Sequence, residues 1–170
     1  DGGVKCWGGY ENNDQDAAAL TNHATAASPQ AGHDTGYSAA ITNTVPVAIQ
    51  GLNSPVTSVT VGAQHSCALT TAGGVKCWAA DSTYYYASYI VTSTTPVDMP
   101  GLTSGISALT SGSDHLCVLT AAGGVKCLGA NYYGQLGNGE TIDSAVPVDV
   151  IGLTSGVLEI HAADSQTCAV

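Results

Sequence analysis

Several residue classes are scarce in this chain, and each scarcity removes a class of function. There is no phenylalanine and no arginine, and the three basic residues, Lys5, Lys76 and Lys126, stand against thirteen acidic ones for a formal net charge of −10. Such a surface repels a phosphate backbone, which argues against nucleic acid as a partner; acidity of this kind reads as a solubility device. No run approaches the roughly 18 apolar residues of a membrane-spanning helix, so no membrane span is expected. The chain opens at Asp1 without a charged-then-apolar leader, as a mature chain or a piece cut from something longer would. The patterns Cys-x-x-Cys-His, His-Glu-x-x-His and Gly-x-Ser-x-Gly are absent, and so is the Asn-x-Ser/Thr acceptor of N-linked sugar. The Ser/Thr-rich segments leave O-linked sugar open.

What is present points to an all-β fold. The 170 residues are 44% hydrophobic, enough for one domain with a real core, and they include 21 glycines and abundant Ser and Thr but no stretch of good helix formers. Six cysteines fall in regularly spaced pairs, which suits an oxidising compartment and hence an extracellular or cell-surface protein. The segment 65–78, His-Ser-Cys-Ala-Leu-Thr-Thr-Ala-Gly-Gly-Val-Lys-Cys-Trp, reads as a β-hairpin whose arms each carry a cysteine. Cys67 and Cys77 lie symmetrically about Ala72, so folding over a turn at residues 71–74 sets them opposite one another, where a cross-strand disulfide can form. Gly73 and Gly74 are expected to supply the positive φ of a tight turn, and the flanking residues to alternate as two-faced strands do.

The hairpin is one copy of a repeat. Cys67 to Cys117 spans 50 residues and Cys117 to Cys168 spans 51, while Pro46, Pro96 and Pro147 recur at the same 50 and 51. A period of this size belongs to stacked supersecondary units such as propeller blades. The chain divides into a first repeat remainder over 1–50 carrying an insertion at 11–40, a second repeat over 51–100, a third over 101–151, and the start of a further one over 152–170. One unit runs from a strand at 96–99, through turns to an alternating strand at 106–109, then into the hairpin arms 115–120 and 124–128. That makes about three repeats of four short antiparallel strands within a single repeat domain, 1–170.

The run Gly-Gly-Val-Lys-Cys-Leu-Gly-Ala-Asn-Tyr-Tyr-Gly-Gln-Leu-Gly-Asn-Gly at 123–139, followed by Pro-Val-Asp-Val and Gly-Leu, resembles the regulator of chromosome condensation repeat family. In its paired cysteines it is similar to the secreted bacterial branch. The resemblance implies a β-propeller, usually of seven blades with four antiparallel strands each. Nuclear members act as exchange factors for a small GTPase, a role poorly matched by a chain with paired cysteines and no basic tail. The plant photoreceptor of this fold depends on clustered tryptophans, whereas Trp7 and Trp78 occupy equivalent repeat positions and read as core. Two departures stand out. From Cys6 to Pro46 there are 40 residues, against 19 and 20 in the later units, and the second unit replaces the Gly-Gln-Leu-Gly loop with a segment containing Tyr84, Tyr85, Tyr86 and Tyr89. Those four tyrosines form a candidate binding loop.

Candidate chemistry is otherwise thin. His65 and His115 sit two residues before a cysteine, but the nine-residue gap between cysteines is wrong for zinc, and repetition marks them as structural residues satisfying a turn. Residues 11–16, Glu-Asn-Asn-Asp-Gln-Asp, lack the spacing of a calcium loop, so neither a metal nor another cofactor is expected. No two of Asp114, Glu140, Asp143, Glu159 and Asp164 form a recognisable acid–base pair, and the protein is read as non-enzymatic.

If Cys67 pairs with Cys77 and Cys117 with Cys127, Cys6 and Cys168 remain as halves of a split hairpin. Three and a fraction units do not close a ring of about four to eight blades. The structure would be completed by a longer chain, by a second copy in a ring, or by head-to-tail contacts in a fibre, with Cys168 bonded to Cys6 of a neighbouring copy. The leading expectation is therefore an extracellular structural or assembly protein whose main partner is itself. The alternative is a secreted, inhibitor-like or adhesin-like module that binds another extracellular protein or a glycan through its loop face.

Overall fold

The computed structural model describes residues 4–8, 43–63, 65–79 and 90–170, excepting the side chains of 7, 8 and 43–47. Strands β3 (Val56–Val61), β4 (His65–Thr70), β5 (Val75–Ala79) and β6 (Val97–Asp98) form one antiparallel sheet in chain order. Strands β7 (Ile106–Ser111), β8 (His115–Thr120), β9 (Val125–Gly129) and β10 (Ser144–Asp149) form a second sheet of the same plan. Two-stranded sheets flank them: β1 (Lys5–Gly8) with β2 (Asn43–Ala48), and β11 (Ile160–Ala163) with β12 (Gln166–Ala169). By repeat position β1 and β2 correspond to β5 and β6, and β11 and β12 to β7 and β8.

Apolar side chains stack these sheets in series. Trp78, Ala68 and Ile49 pack with Val4, Cys6 and Val56 between the first pair and the β3–β6 sheet. Leu69, Val75, Met99, Leu102, Ile106 and Leu116 fill the space between the two four-stranded sheets. Leu119, Val125 and Leu136 meet Val157 and Ile160 on the far side. Because a sheet lies against each face, every residue of β4 is buried, and all of β8 but its last. The one-face alternation expected of the hairpin is thus replaced by continuous burial, polar residues included, as in strands covered on both sides.

The hairpin turn differs in detail from the sequence expectation. Thr70 closes it, its amide donating to the Gly74 carbonyl at 2.8 Å and its carbonyl accepting from Gly73 at 2.9 Å, a three-residue loop ending in a left-handed residue. Only Gly73 has positive φ, at 77°. Gly74 is needed for space: a Cβ there would lie 2.6 Å from the Thr103 carbonyl oxygen. The next repeat reproduces both features, with Gly123 at φ 81° and Gly124 facing the Thr154 carbonyl. The first glycine thus serves the turn and also abuts the following unit, a Cβ on Gly123 falling 2.7 Å from the Gly156 amide nitrogen, while the second serves that contact alone.

The strand after Pro96 also shifts its allegiance. Placed at the head of a unit by sequence, it pairs back onto the preceding hairpin, with Val97 opposite Cys77 and, in the next copy, Val148 opposite Cys127. Proline lacks an amide donor, so its strand suits the sheet edge that β10 occupies. This register sets Lys76 beside Asp98 at 2.8 Å and Lys126 beside Asp149 at 2.6 Å, whereas Lys5 lies opposite Ala48.

Cys67 is bonded to Cys77 and Cys117 to Cys127, each pair spanning two directly opposed strand positions with Cα atoms 4.1 Å apart. Each bond closes a loop of sequence separation 10, so the chain-entropy estimate for its contribution is about 3 kcal/mol. Replacing Cys117 and Cys127 together by alanine should lower the unfolding free energy by about that amount. Urea denaturation followed by tryptophan fluorescence measures it.

Candidate functional site

The residues singled out by sequence fall in three places. The four hairpin cysteines lie inside the complete sheets as described. Cys6 and Cys168 are unpaired, the first half-buried on β1 and the second exposed on β12. They sit in the two flanking sheets, which pack on opposite sides of the four-stranded pair. Burial pushes the Cys6 thiol above its ordinary value. Tyr84, Tyr85, Tyr86 and Tyr89 lie outside the described residues, as does the 11–40 insertion. Trp78 is core, 1% exposed, while the Trp7 side chain is outside the described set.

His65 and His115 are both buried, each ring lying against the glycine of its own turn, Gly62 or Gly112, and each Nε2 reaching into the next unit. His65 Nε2 lies 3.0 Å from Ser111 Oγ. The residue equivalent to Ser111 one repeat on is Ala162, without a hydroxyl, and His115 Nε2 instead meets Thr167 Oγ1 at 2.8 Å. Thr167 donates its one proton to the Gln135 carbonyl at 3.0 Å. Its hydroxyl must then accept from His115, which fixes the proton on Nε2 and leaves the buried Nδ1 without a partner. Around these histidines a ladder links the units: Thr60 Oγ1 accepts from the Ser111 amide and Thr110 Oγ1 from the Ala162 amide, both at 2.9 Å. Loop peptides continue it, Ala63 to Ser113 and Ser113 to Asp164, each 2.8 Å.

On the loop face, the segment after β9 is organised by Asn131, which is fully buried. Its amide nitrogen reaches Asn138 Oδ1 and the carbonyls of Glu140 and Ile142 at 3.0 to 3.1 Å, and its Oδ1 accepts from the Leu136 amide at 2.9 Å. Asp143 Oδ1 accepts from the Asn131 main chain at 2.6 Å. This tied loop and the β11–β12 turn border an open cleft of about 550 Å³, whose lining includes Asp114, Tyr132, Tyr133, Thr141, Asp143 and Ser165. Tyr132 and Tyr133 are among the most exposed apolar side chains described. In the sequence, the adjacent Tyr132 and Tyr133 are the signal that marks this loop. Among the described residues no group of three or more His, Cys, Asp or Glu is placed to hold a metal ion. No helix there is long and apolar enough to cross a membrane. The two disulfides suit an oxidising environment.

Two expectations follow from these networks. Burial, reinforced by repulsion from His115, lowers the His65 pKa from 6.5 to about 4, and burial lowers that of His115 as well. Between those values the unfolded chain binds a proton that the folded chain refuses. Stability is therefore full above about pH 6.5 and falls toward pH 4, by about 3 kcal/mol for His65, with no further loss from it at lower pH. Equilibrium unfolding at stepped pH should show this slope, and His65→Gln should flatten it. Asn131→Ala leaves the Leu136 amide without its acceptor and should cost about 2 to 3 kcal/mol, with faster hydrogen exchange at Leu136.

Comparison with known proteins agrees with this architecture. Two models of the regulator of chromosome condensation (RCC1) repeat match, one over residues 123–170 and the other over 56–78 and 106–135, together just over half of the chain. No curated protein sequence matches significantly. Among solved structures, human WBSCR16 superposes with a TM-score of 0.61 at 22% identity, over 76% of this chain and 34% of that one. Prp20p from Saccharomyces cerevisiae, in a study of its binding to Gsp1p and histones, gives 0.63 at 14% identity, over 75% and 33%. Yeast RCC1 (Prp20) bound to Kap60 gives 0.65 at 18% identity, over 95% and 34%. The chain spans about a third of the length of these structures, and identities this low speak to the fold alone. The repeat-model matches and the shared fold place the chain in the regulator of chromosome condensation repeat family, its four-stranded sheets being β-propeller blades.

Proposed function

We propose that this chain is a non-enzymatic extracellular repeat protein that assembles head to tail, strand β12 of one copy receiving strand β1 of the next. The observation that carries this reading is Cys168, exposed on β12 at the repeat position where both complete blades carry a disulfide. Among the described residues β12 pairs only with β11, and β1 only with β2. β1 brings Lys-Cys-Trp-Gly, matching the Lys-Cys-Trp-Ala of β5. Laid beside β12 in the β4–β5 register, it would set Cys6 opposite Cys168.

Exposed apolar positions support the same contact. Val59 and Val61 are 49% and 47% exposed, whereas their repeat equivalents Leu109 and Ser111 are buried against the neighbouring blade. Added strands and stacked blades would cover these surfaces, and an unpaired strand edge is a template for such addition.

A second reading, a secreted module that binds a partner through its loop face, draws on the exposed Tyr132 and Tyr133. Electrophoresis without reductant tests the first. A ladder that collapses on reduction, and disappears in Cys168→Ser, is the expected outcome. A single monomer band, with Cys6 and Cys168 both open to a thiol reagent, would overturn it.

A further inference from the structure

We propose that the cleft between the 130–143 loop and the β11–β12 turn binds a short oligosaccharide free of acidic groups. This deepens the loop-face reading and is independent of strand-edge assembly. Tyr132 and Tyr133 are 76% and 73% exposed, and their rings meet edge to face with centroids 5.0 Å apart at 88°. Together they make an aromatic corner at the cleft. A pyranose has a face of C–H groups and a rim of hydroxyls, and tyrosine offers the matching apolar ring with a polar tip. Thr141 and Ser165 add hydroxyls to the lining, and Asp114 and Asp143 add carboxylates.

The volume of about 550 Å³ lies within the roughly 300 to 1,000 Å³ usual for small-ligand sites. Among the described residues, Tyr132 and Tyr133 are the exposed aromatic side chains, and both border this cleft; a stable protein interface would need roughly 800 Å² from each partner. The loop is ordered in advance by Asn131, and Gln135 Oε1 accepts from the Tyr133 amide at 2.9 Å. Little ordering entropy therefore remains to be lost on binding. Asp114 and Asp143 line the cleft, and the chain carries −10 overall, so uronate, sulfate and phosphate groups are repelled.

Titration calorimetry of the full chain with cellotetraose, chitosan tetramer and tetragalacturonate tests the proposal. Binding of cellotetraose or the chitosan tetramer is expected, and none of tetragalacturonate. The double substitution Tyr132→Ala with Tyr133→Ala should weaken it at least tenfold, with an unchanged melting temperature because both rings are largely in solvent. Tyr132→Trp, which keeps an aromatic face, should retain it. Absence of binding by both the neutral and the amino-sugar probe overturns the proposal, as does binding that survives loss of both rings or that is matched by tetragalacturonate. Cys6 and Cys168 play no part in this measurement, so its outcome is separate from that of the electrophoresis.

Discussion

Everything in this chain follows from burying a two-cysteine hairpin on both faces. A hairpin with one wet face could satisfy its turn and its polar side chains with water. Covered on both sides, it must find partners in the units beside it, and each contact that meets this need also fixes where the next unit lies. The turn supplies the clearest instance. The Gly73 carbonyl accepts from Ile106 at 3.0 Å, and the Val75 amide donates to Leu102 at 2.8 Å, so the end of one hairpin holds the approach to the next blade. Gly123 and Val125 repeat this with Val157 and Leu153. The disulfide inside each hairpin then stiffens an element whose rigidity serves two neighbours.

This dependence between repeats explains how much could be seen in the sequence. The symmetry of Cys67 and Cys77 about Ala72, the period of 50 or 51 and the four short strands per unit are local or periodic facts, and the fold follows from them. The partners of His65 and His115 lie 46 and 52 residues away, and no pattern within a hairpin names them. Gly74 illustrates the same limit. As the second glycine of a pair it looks like a turn residue, and only the position of Thr103 in the next unit gives its actual reason. The cleft was hidden for another cause: Asn131 gathers a loop whose composition resembles any other flexible connection, so Tyr132 and Tyr133 gain their fixed placement from hydrogen bonds that composition does not encode.

The repeats also diverge where one position changes chemistry. Thr57 and Ser107 donate to the carbonyls of Leu69 and Leu119 at 3.2 and 3.1 Å, each beside a register shift at the start of its blade. The equivalent residue of the next unit is Leu158, which has no hydroxyl to give and stands 81% exposed, and β11 begins two residues later at Ile160. The absence of a hydroxyl at Ala162 likewise moves the His115 contact to Thr167, where Gln135 shares it. The hydroxyl missing at Ala162 thus ties the buried histidine to the loop that borders the cleft.

Charge finally limits how such units can meet other molecules. Lys76 and Lys126 are committed to Asp98 and Asp149 within their own blades, leaving Lys5 as the one remaining basic side chain in the sequence. Two copies therefore approach as like charges, and at physiological salt the repulsion acts over a Debye length of about 8 Å. Complementary charge could not hold them together. Main-chain pairing along a strand edge, apolar contact at residues such as Val59 and Val61, and a sulfur–sulfur bond are all insensitive to net charge at contact distance. The same acidity that discourages unspecific association thus leaves the strand edges as the sites where a second copy could bind tightly, and leaves the tyrosine cleft to ligands that carry no negative charge.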